Sequence, residues 1–177
     1  MFEPNTVYAK IAYDAILLYL KTGKKLFRQA DQIPPALKLK LSCYVSLYSG
    51  NQLRACIGNP QPKCEHLYNE IIENAVAAAF DNDQTEPLKE AELNNISIVV
   101  DVISEPRPVK DRSLLKPGKH GVMLEDEQGK FSVLLPNQDG IDSVDQQLEK
   151  ARAQAGIDQE KPVDQLKIYS FTTTSYQ

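Results

Sequence analysis

A run of alternating apolar and polar residues between positions 37 and 48 constrains the fold of this chain most. Six apolar residues alternate there with lysine, serine and tyrosine: Leu37, Leu39, Leu41, Cys43, Val45 and Leu47. Side chains along a β-strand point to opposite faces in turn, so this run predicts a strand with one buried face. Residues 49–52 have the composition of a turn, and residues 53–58 read as a second strand. Together they predict a β-hairpin.

The register of this hairpin decides which residues share a face. A three-residue loop would set Ala55 beside Leu47, whereas a two-residue loop would set Arg54 beside Leu47, on the apolar face. We favour the first register, because an unpaired charge is costly there. In either register Arg54, Cys56 and Gly58 lie on one side of the strand. A guanidinium, a thiol and a residue without a side chain together suggest a concave site for a small anion.

The rest of the chain mixes helical and strand patterns. A helix is predicted over residues 6–22, with Asn5 or Thr6 as its cap and Gly23 as its stop, and another over 64–80. A third is predicted over 143–156, where Ser143 and Gln146 match a capping box and Gly156 is the C′ glycine. A helical turn is predicted at 90–93 and strands at 96–103, 122–124, 131–135 and 166–174. Strands mixed with helices and joined in hairpins predict an α+β fold with a mainly antiparallel or mixed sheet and flanking helices. A chain of 177 residues is the size of a single domain.

Charge and composition narrow the classes of partner. The formal net charge is −4 and the chain has no concentrated basic stripe, so we expect no nucleic-acid partner. A cluster of lysines is interpreted as solvated surface in preference to a track for phosphates: Lys21, Lys24, Lys25, Lys38 and Lys40.

The cysteines and the apolar runs bear on the compartment. Cys43, Cys56 and Cys64 fit reduced thiols better than a disulfide framework. No apolar run approaches the roughly 20 residues that span a bilayer, and the N-terminus lacks the order of a signal peptide. We therefore expect a cytoplasmic protein without a membrane partner.

The hexapeptide at residues 53–58, Leu-Arg-Ala-Cys-Ile-Gly, resembles the Leu-Arg-Gly-Cys-Ile-Gly motif of the AMMECR domain family. Weaker matches follow in family order: Pro87-Leu88, Glu92-Leu93, Pro117-Gly118-Lys119-His120-Gly121, Leu134-Leu135-Pro136 and Ala155-Gly156. The chain departs from the family pattern at Ala55, which replaces a glycine, and at Gln84-Thr85, which stand where the family has Arg-Phe.

This resemblance implies a single AMMECR-like domain over residues 1–177, with a large lobe, a smaller lobe and the hexapeptide in a cleft between them. It also implies a microbial setting with a Memo-like protein and a radical S-adenosylmethionine (SAM) enzyme as partners. The family has no settled activity, so no reaction follows from the resemblance.

Two functions remain open from the sequence. In the first, the chain is an anionic small-ligand-binding or accessory module, and Arg54, Gly58 and Asn59 hold the ligand. In the second, it is a cysteine-dependent enzyme. Cys56 is then the nucleophile, the Arg54 charge lowers its pKa, and His120 is an acid–base partner.

Structural alternatives stand beside both functions. Arg54 can instead pair with a carboxylate, for which Glu65 and Asp101 are candidates. A metal site from Cys56, Cys64 and His66 is conceivable, but the spacing matches no common zinc pattern. We predict no metal and no cofactor, and we leave open whether the chain is an enzyme.

Overall fold

The structure is a computed structural model that describes residues 3–83 and 85–177, apart from the side chain of Asp164. It contains four helices and eight strands in these residues. The helices are α1 (Val7–Thr22), α2 (Leu67–Phe80), α3 (Glu90–Leu93) and α4 (Val144–Ala155). The strands are β1 (Cys43–Ser49), β2 (Gln52–Gly58), β3 (Ile96–Ile103), β4 (Arg107–Pro108), β5 (Gly121–Glu125), β6 (Phe131–Leu134), β7 (Lys167–Phe171) and β8 (Thr173–Tyr176).

The chain divides into two compact units. The first comprises residues 1–103 with 174–177, and the second comprises residues 104–173. Each unit has its own four-stranded sheet, in the order β2-β1-β3-β8 in the first and β4-β7-β5-β6 in the second. All pairs with a described register are antiparallel. The predicted α+β class is thereby confirmed, with the strands divided between two sheets.

In the first unit, helices α1 and α2 pack against each other, and α2 covers one face of the sheet. Cys43, Val45 and Leu47 of β1 point into this core and are fully buried. Helix α1 begins where the Thr6 hydroxyl accepts the N–H of Ala9. It ends at a left-handed Gly23, so both predicted boundaries are confirmed.

In the second unit, helix α4 packs on strands β5 and β6. Val122, Leu124 and Leu148 form the centre of its smaller core. The helix begins with the predicted capping box. In it the Ser143 hydroxyl accepts the backbone N–H of Gln146, and the Gln146 side chain accepts the backbone N–H of Ser143. It ends at Gly156, which adopts a left-handed conformation as predicted.

Three predicted elements differ from the structure by more than one residue at a boundary. Strand β1 begins at Cys43 instead of residue 37, because Pro34-Pro35 starts a 3₁₀ turn that ends at Leu37. Helix α2 begins at Leu67 instead of residue 64, because the Glu70 carboxylate accepts the N–H groups of residues 63 and 64 and holds them outside the helix. The last predicted strand is two strands, since β7 and β8 belong to different sheets.

In the part of the chain described here, no helix combines the length and the apolar character needed to cross a membrane.

Candidate functional site

The hexapeptide lies on β2, which forms a hairpin with β1 and is an edge strand of the first sheet. Ala55 pairs with Leu47 and Cys56 pairs with Ser46, which is the register favoured from the sequence. The connection that produces it differs from the expected three-residue loop. Ser49 pairs with Gln52, so the turn itself has only two residues.

A β-bulge reconciles the short turn with this register. Tyr48 pairs with Leu53 and Leu47 pairs with Ala55, so Arg54 is the extra residue without a partner on β1. A bulge bends its strand and re-aims the side chain it carries. The direction of Arg54 is therefore set by the bulge and not by the simple alternation that the sequence prediction assumed.

The Arg54 side chain reaches the segment that connects α2 to β3. Its Nη2 donates to the Glu86 carbonyl at 2.6 Å, its Nε to Glu92 Oε1 at 3.4 Å, and its Nη1 to Thr85 Oγ1 at 3.5 Å. The side chain is only 10 % exposed, whereas that of Glu92 is 43 % exposed. Arg54 is thus a largely buried cation with one short hydrogen bond and two long ones.

Neither carboxylate suggested from the sequence pairs with Arg54. Glu65 is bound to Lys40 at 2.9 Å, and Asp101 accepts a hydrogen bond from the Ser175 hydroxyl. The partner is Glu92, whose other oxygen accepts the Lys89 N–H and so caps α3. The sequence motif Glu92-Leu93 carried the only signal for this carboxylate, and it did not indicate what Glu92 contacts.

The Cys56 thiol lies in different surroundings from the Arg54 guanidinium. Burial raises the pKa of Cys56, a hydrogen bond with Ser46 lowers it, and the charge of Asp101 raises it further, so that the net direction is upward. The prediction that Arg54 lowers this pKa is wrong, because Arg54 is not among the groups that set it. A thiol with a raised pKa is a poor nucleophile at neutral pH.

Gly58 and Asn59 are both engaged by the hairpin itself. Tyr44 pairs with Gly58 across the strands. A Cβ atom added to Gly58 would lie 2.5 Å from the Tyr44 ring and 2.6 Å from the Cys43 carbonyl oxygen. The Asn59 carbonyl accepts a hydrogen bond from the Ser42 hydroxyl. These contacts give both residues a structural role, and ligand binding by them stays a prediction.

The tyrosine over Gly58 is a feature that sequence reasoning missed. Burial raises the pKa of Tyr44, and the neighbouring Cys56 raises it further. Burial also raises the pKa of Asp101, the residue that pairs with Tyr44 on β3, while a hydrogen bond from Ser175 lowers it. The surroundings of Cys56, Tyr44 and Asp101 therefore shift the pKa of each group in the direction that disfavours its charged form.

His120 belongs to the second unit, and Cys56 belongs to the first. Its Nδ1 accepts the Lys116 N–H at 3.1 Å, and its carbonyl accepts a hydrogen bond from Gln147 at 2.7 Å. These bonds fix the turn before β5. A role for His120 as an acid–base partner stays a prediction.

The residues weighed as metal ligands have other partners. The Cys64 side chain is hydrogen bonded to Glu70, and His66 is hydrogen bonded through Nδ1 to the Lys38 carbonyl. Within residues 3–83 and 85–177, no group of three or more histidines, cysteines and acidic residues is arranged to hold a metal ion.

The chain is thus an α+β protein of two units, each with an antiparallel sheet, and its Leu-Arg-Ala-Cys-Ile-Gly strand has a β-bulge at the arginine. The chain belongs to the AMMECR1 family, whose model matches residues 9–176.

Relatives and a solved structure agree with this assignment. A Thermotoga maritima protein is 36 % identical over 172 residues, which cover 96 % of this chain and 97 % of the relative. A Pyrococcus furiosus protein is 31 % identical, over 95 % of this chain and 85 % of its own length. The crystal structure of an uncharacterised Pyrococcus horikoshii protein superposes with a TM-score of 0.83 at 28 % identity, and the match covers 95 % of this chain and 88 % of that chain.

Proposed function

We propose that this chain is a ligand-binding accessory module in which the Arg54 guanidinium holds a small anionic ligand. The observation that carries the proposal is the incomplete pairing of a largely buried arginine. A guanidinium has five N–H donors, and the described acceptors of Arg54 take three of them. Among the described residues, one N–H on each terminal nitrogen has no acceptor, so each is left for a ligand.

The ion pair between Arg54 and Glu92 is the contact that an anion would replace. The Nε–Glu92 distance of 3.4 Å is long for a charge-assisted hydrogen bond, which is ordinarily about 2.7–2.9 Å. Glu92 is half-exposed, so its Oε1 can turn away from Nε into water while its Oε2 keeps the hydrogen bond to the Lys89 N–H. A planar carboxylate or a phosphate would then exchange one long contact for a bidentate one.

The resemblance to the AMMECR domain family supports the accessory part of the proposal. In that setting the chain acts with a Memo-like protein and a radical SAM enzyme, and it contributes binding while a partner performs the chemistry. The raised pKa of Cys56 agrees with such a division, because it favours a neutral thiol on this strand.

A thermal-shift series tests the Arg54 site. Inorganic phosphate, a nucleotide series and a dicarboxylate series are added to wild type, to Arg54→Gln and to the control Arg107→Gln. Arg107 is exposed, so the control loses a surface charge alone. At a hundredfold excess over Kd a ligand stabilises by ~2.7 kcal/mol, which is readily measured.

We expect at least one anion to raise the melting temperature of wild type and of Arg107→Gln but not of Arg54→Gln. If no anion stabilises wild type, or if Arg54→Gln is stabilised equally, the Arg54 site is refuted. Size-exclusion chromatography with a purified Memo-like protein and a purified radical SAM enzyme tests the accessory role separately. Coelution of the chain with either protein supports the accessory role. Separate elution of the chain from both proteins refutes it.

A further inference from the structure

A basic segment, residues 21–40, begins in the last turn of α1 and forms most of the connection to β1 in the first unit. Only two 3₁₀ turns, Ala30–Gln32 and Pro35–Leu37, interrupt its irregular path between Gly23 and β1. Connections of this length without a helix or strand are uncommon in compact domains and are frequently functional. The basic segment is nevertheless anchored, because Ile33 and Leu37 are buried in the core of the unit.

The charge of the chain is distributed very unevenly around this segment. It holds six of the basic residues and a single acidic one, Asp31, so it carries +5 in a chain of net charge −4. The remaining residues therefore carry −9. Two of the six cations have acidic partners on or beside α2, since Lys25 is bound to Glu73 and Lys40 to Glu65.

The other four cations have no carboxylate partner among the described residues: Lys21, Lys24, Arg28 and Lys38. The Arg28 guanidinium lies 5.7 Å from the centre of the Tyr68 ring, and the lysine side chains lie at the surface. A set of uncompensated cations at the surface is a site for negative charge.

Large apolar side chains stand among these cations. Phe27 is 78 % exposed and Leu39 is 56 % exposed. The stretches that carry them contact the first two turns of α2, because Lys25 reaches Glu73 and the Leu39 carbonyl accepts the Leu67 N–H at 2.9 Å. Leu67 and Glu73 are about 9 Å apart along the helix axis. The two exposed apolar side chains therefore belong to stretches of the basic segment that are both anchored to the first two turns of α2.

We infer that the basic segment is a docking surface for an acidic segment of a partner protein, which places apolar side chains against Phe27 and Leu39. The positive charge of the basic segment favours an acidic protein segment over a membrane surface or a nucleic acid. Electrostatic interactions are screened beyond about 8–10 Å at physiological salt, so a short acidic segment experiences chiefly the local charge, which is +3 once Glu65 and Glu73 are counted with the lysines that they pair with. A membrane surface or a long nucleic acid extends over more of the chain and so includes more of the negative charge of the remaining residues. None of the contacts described for Arg54 involves a residue of the basic segment.

A labelled synthetic peptide in which glutamates alternate with leucines and phenylalanines is the probe. Fluorescence anisotropy measures its Kd for the full chain at low and at physiological salt. The same peptide with glutamine for glutamate, phosphatidylserine vesicles and a single-stranded RNA are the competing probes. The variants are Lys24→Glu with Lys38→Glu, Phe27→Ser with Leu39→Ser, and the control Lys110→Glu with Lys119→Glu, which reverses two exposed lysines outside the basic segment.

We expect the acidic peptide to bind wild type and the control alike, and to bind the Lys24/Lys38 variant roughly tenfold more weakly or worse. The Phe27/Leu39 variant should weaken binding by a smaller factor without changing its salt dependence. Arg54→Gln should bind the peptide as wild type does, which separates this surface from the proposed ligand site. Circular dichroism verifies that each variant is folded.

The inference is overturned if the acidic peptide does not bind, or if its Kd is the same for wild type and the Lys24/Lys38 variant. It is also overturned if the vesicles or the RNA bind more tightly than the peptide. Equal binding of the glutamine peptide would show that charge does not select the partner, and would refute the inference as well.

Discussion

Replacing Gly58 by alanine decides between two explanations for a glycine in the hexapeptide. In one, the glycine leaves room for a ligand; in the other, it leaves room for the Tyr44 ring. An alanine Cβ would lie 2.5 Å from two atoms of that ring and 2.6 Å from the Cys43 carbonyl oxygen. Ordinary contacts begin at 3.4 Å, so the ring would have to retreat by about 0.9 Å.

Neither neighbour is free to give way. Tyr44 is packed in a half-buried position on β1, and the Cys43 carbonyl accepts a hydrogen bond from the buried Asn74 at 3.0 Å. Overpacking of this kind costs about 1–3 kcal/mol. With a urea m-value of about 2 kcal/mol/M, the unfolding midpoint should fall by ~0.5–1.5 M.

Urea unfolding followed by far-UV circular dichroism measures this loss, since the chain contains no tryptophan. Gly118→Ala is the matched control, because an added Cβ there meets nothing within 4 Å. Gly121→Ala is an independent repeat in the second unit. Gly121 pairs with Phe171, and its added Cβ would meet the Phe171 ring in the same way.

The double variant Tyr44→Ala with Gly58→Ala tests the cause of the loss. With the ring removed, only the Cys43 carbonyl opposes the new methyl group, so Gly58→Ala should cost ~1 kcal/mol less than in wild type. The explanation is refuted if Gly58→Ala destabilises no more than Gly118→Ala, or if removing Tyr44 leaves its cost unchanged.

Three further outcomes are expected. Burial pushes the pKa of Asp126 upward, but hydrogen bonds from backbone N–H groups and the charge of Lys161 outweigh it and lower that pKa. The stability that ionised Asp126 contributes is therefore present above about pH 4 and is lost as the pH falls through its folded-state pKa. Asp126→Asn should abolish this part of the loss of stability in acid, as measured by urea unfolding at a series of pH values. Asn74→Ala leaves the Cys43 carbonyl unpaired and should cost about 1–3 kcal/mol by the same assay; an unchanged midpoint would contradict the assigned bond. Iodoacetamide should modify Cys56 slowly at neutral pH, with a rate that rises beyond pH 8.5, and rapid modification at pH 7 would restore the cysteine-dependent enzyme.

Boundaries that depend on neighbouring residues could be predicted from the sequence. Thr6 and Gly23 frame α1, and Ser143 and Gly156 frame α4, because caps act through bonds within a few positions. The start of β1 could not be predicted in this way. Leu39 and Leu41 continue the alternation, but Leu39 is exposed and its carbonyl binds α2, a contact across 28 positions of sequence.

The face of Arg54 was the least predictable feature of the candidate site. Alternation assumes one residue on each strand per step, and a bulge violates that assumption at a single position. The partners of Arg54 lie 31 to 38 positions away, in a segment whose course depends on how α2 ends. Sequence reasoning therefore selected a residue with unusual surroundings but assigned it the wrong carboxylate.

The bulge also bears on why Arg54, and not Cys56, is the better candidate for binding. Cys56 sits in the regular ladder opposite Ser46, so its thiol is held by the strand pairing and kept protonated by its surroundings. Arg54 is outside that pairing, and two of its three hydrogen bonds are long. A side chain held in this way can exchange an acceptor while the sheet keeps its hydrogen bonds. Anion binding at Arg54 should therefore leave the hairpin register unchanged, and a ligand that required the register to shift would contradict this account of the site.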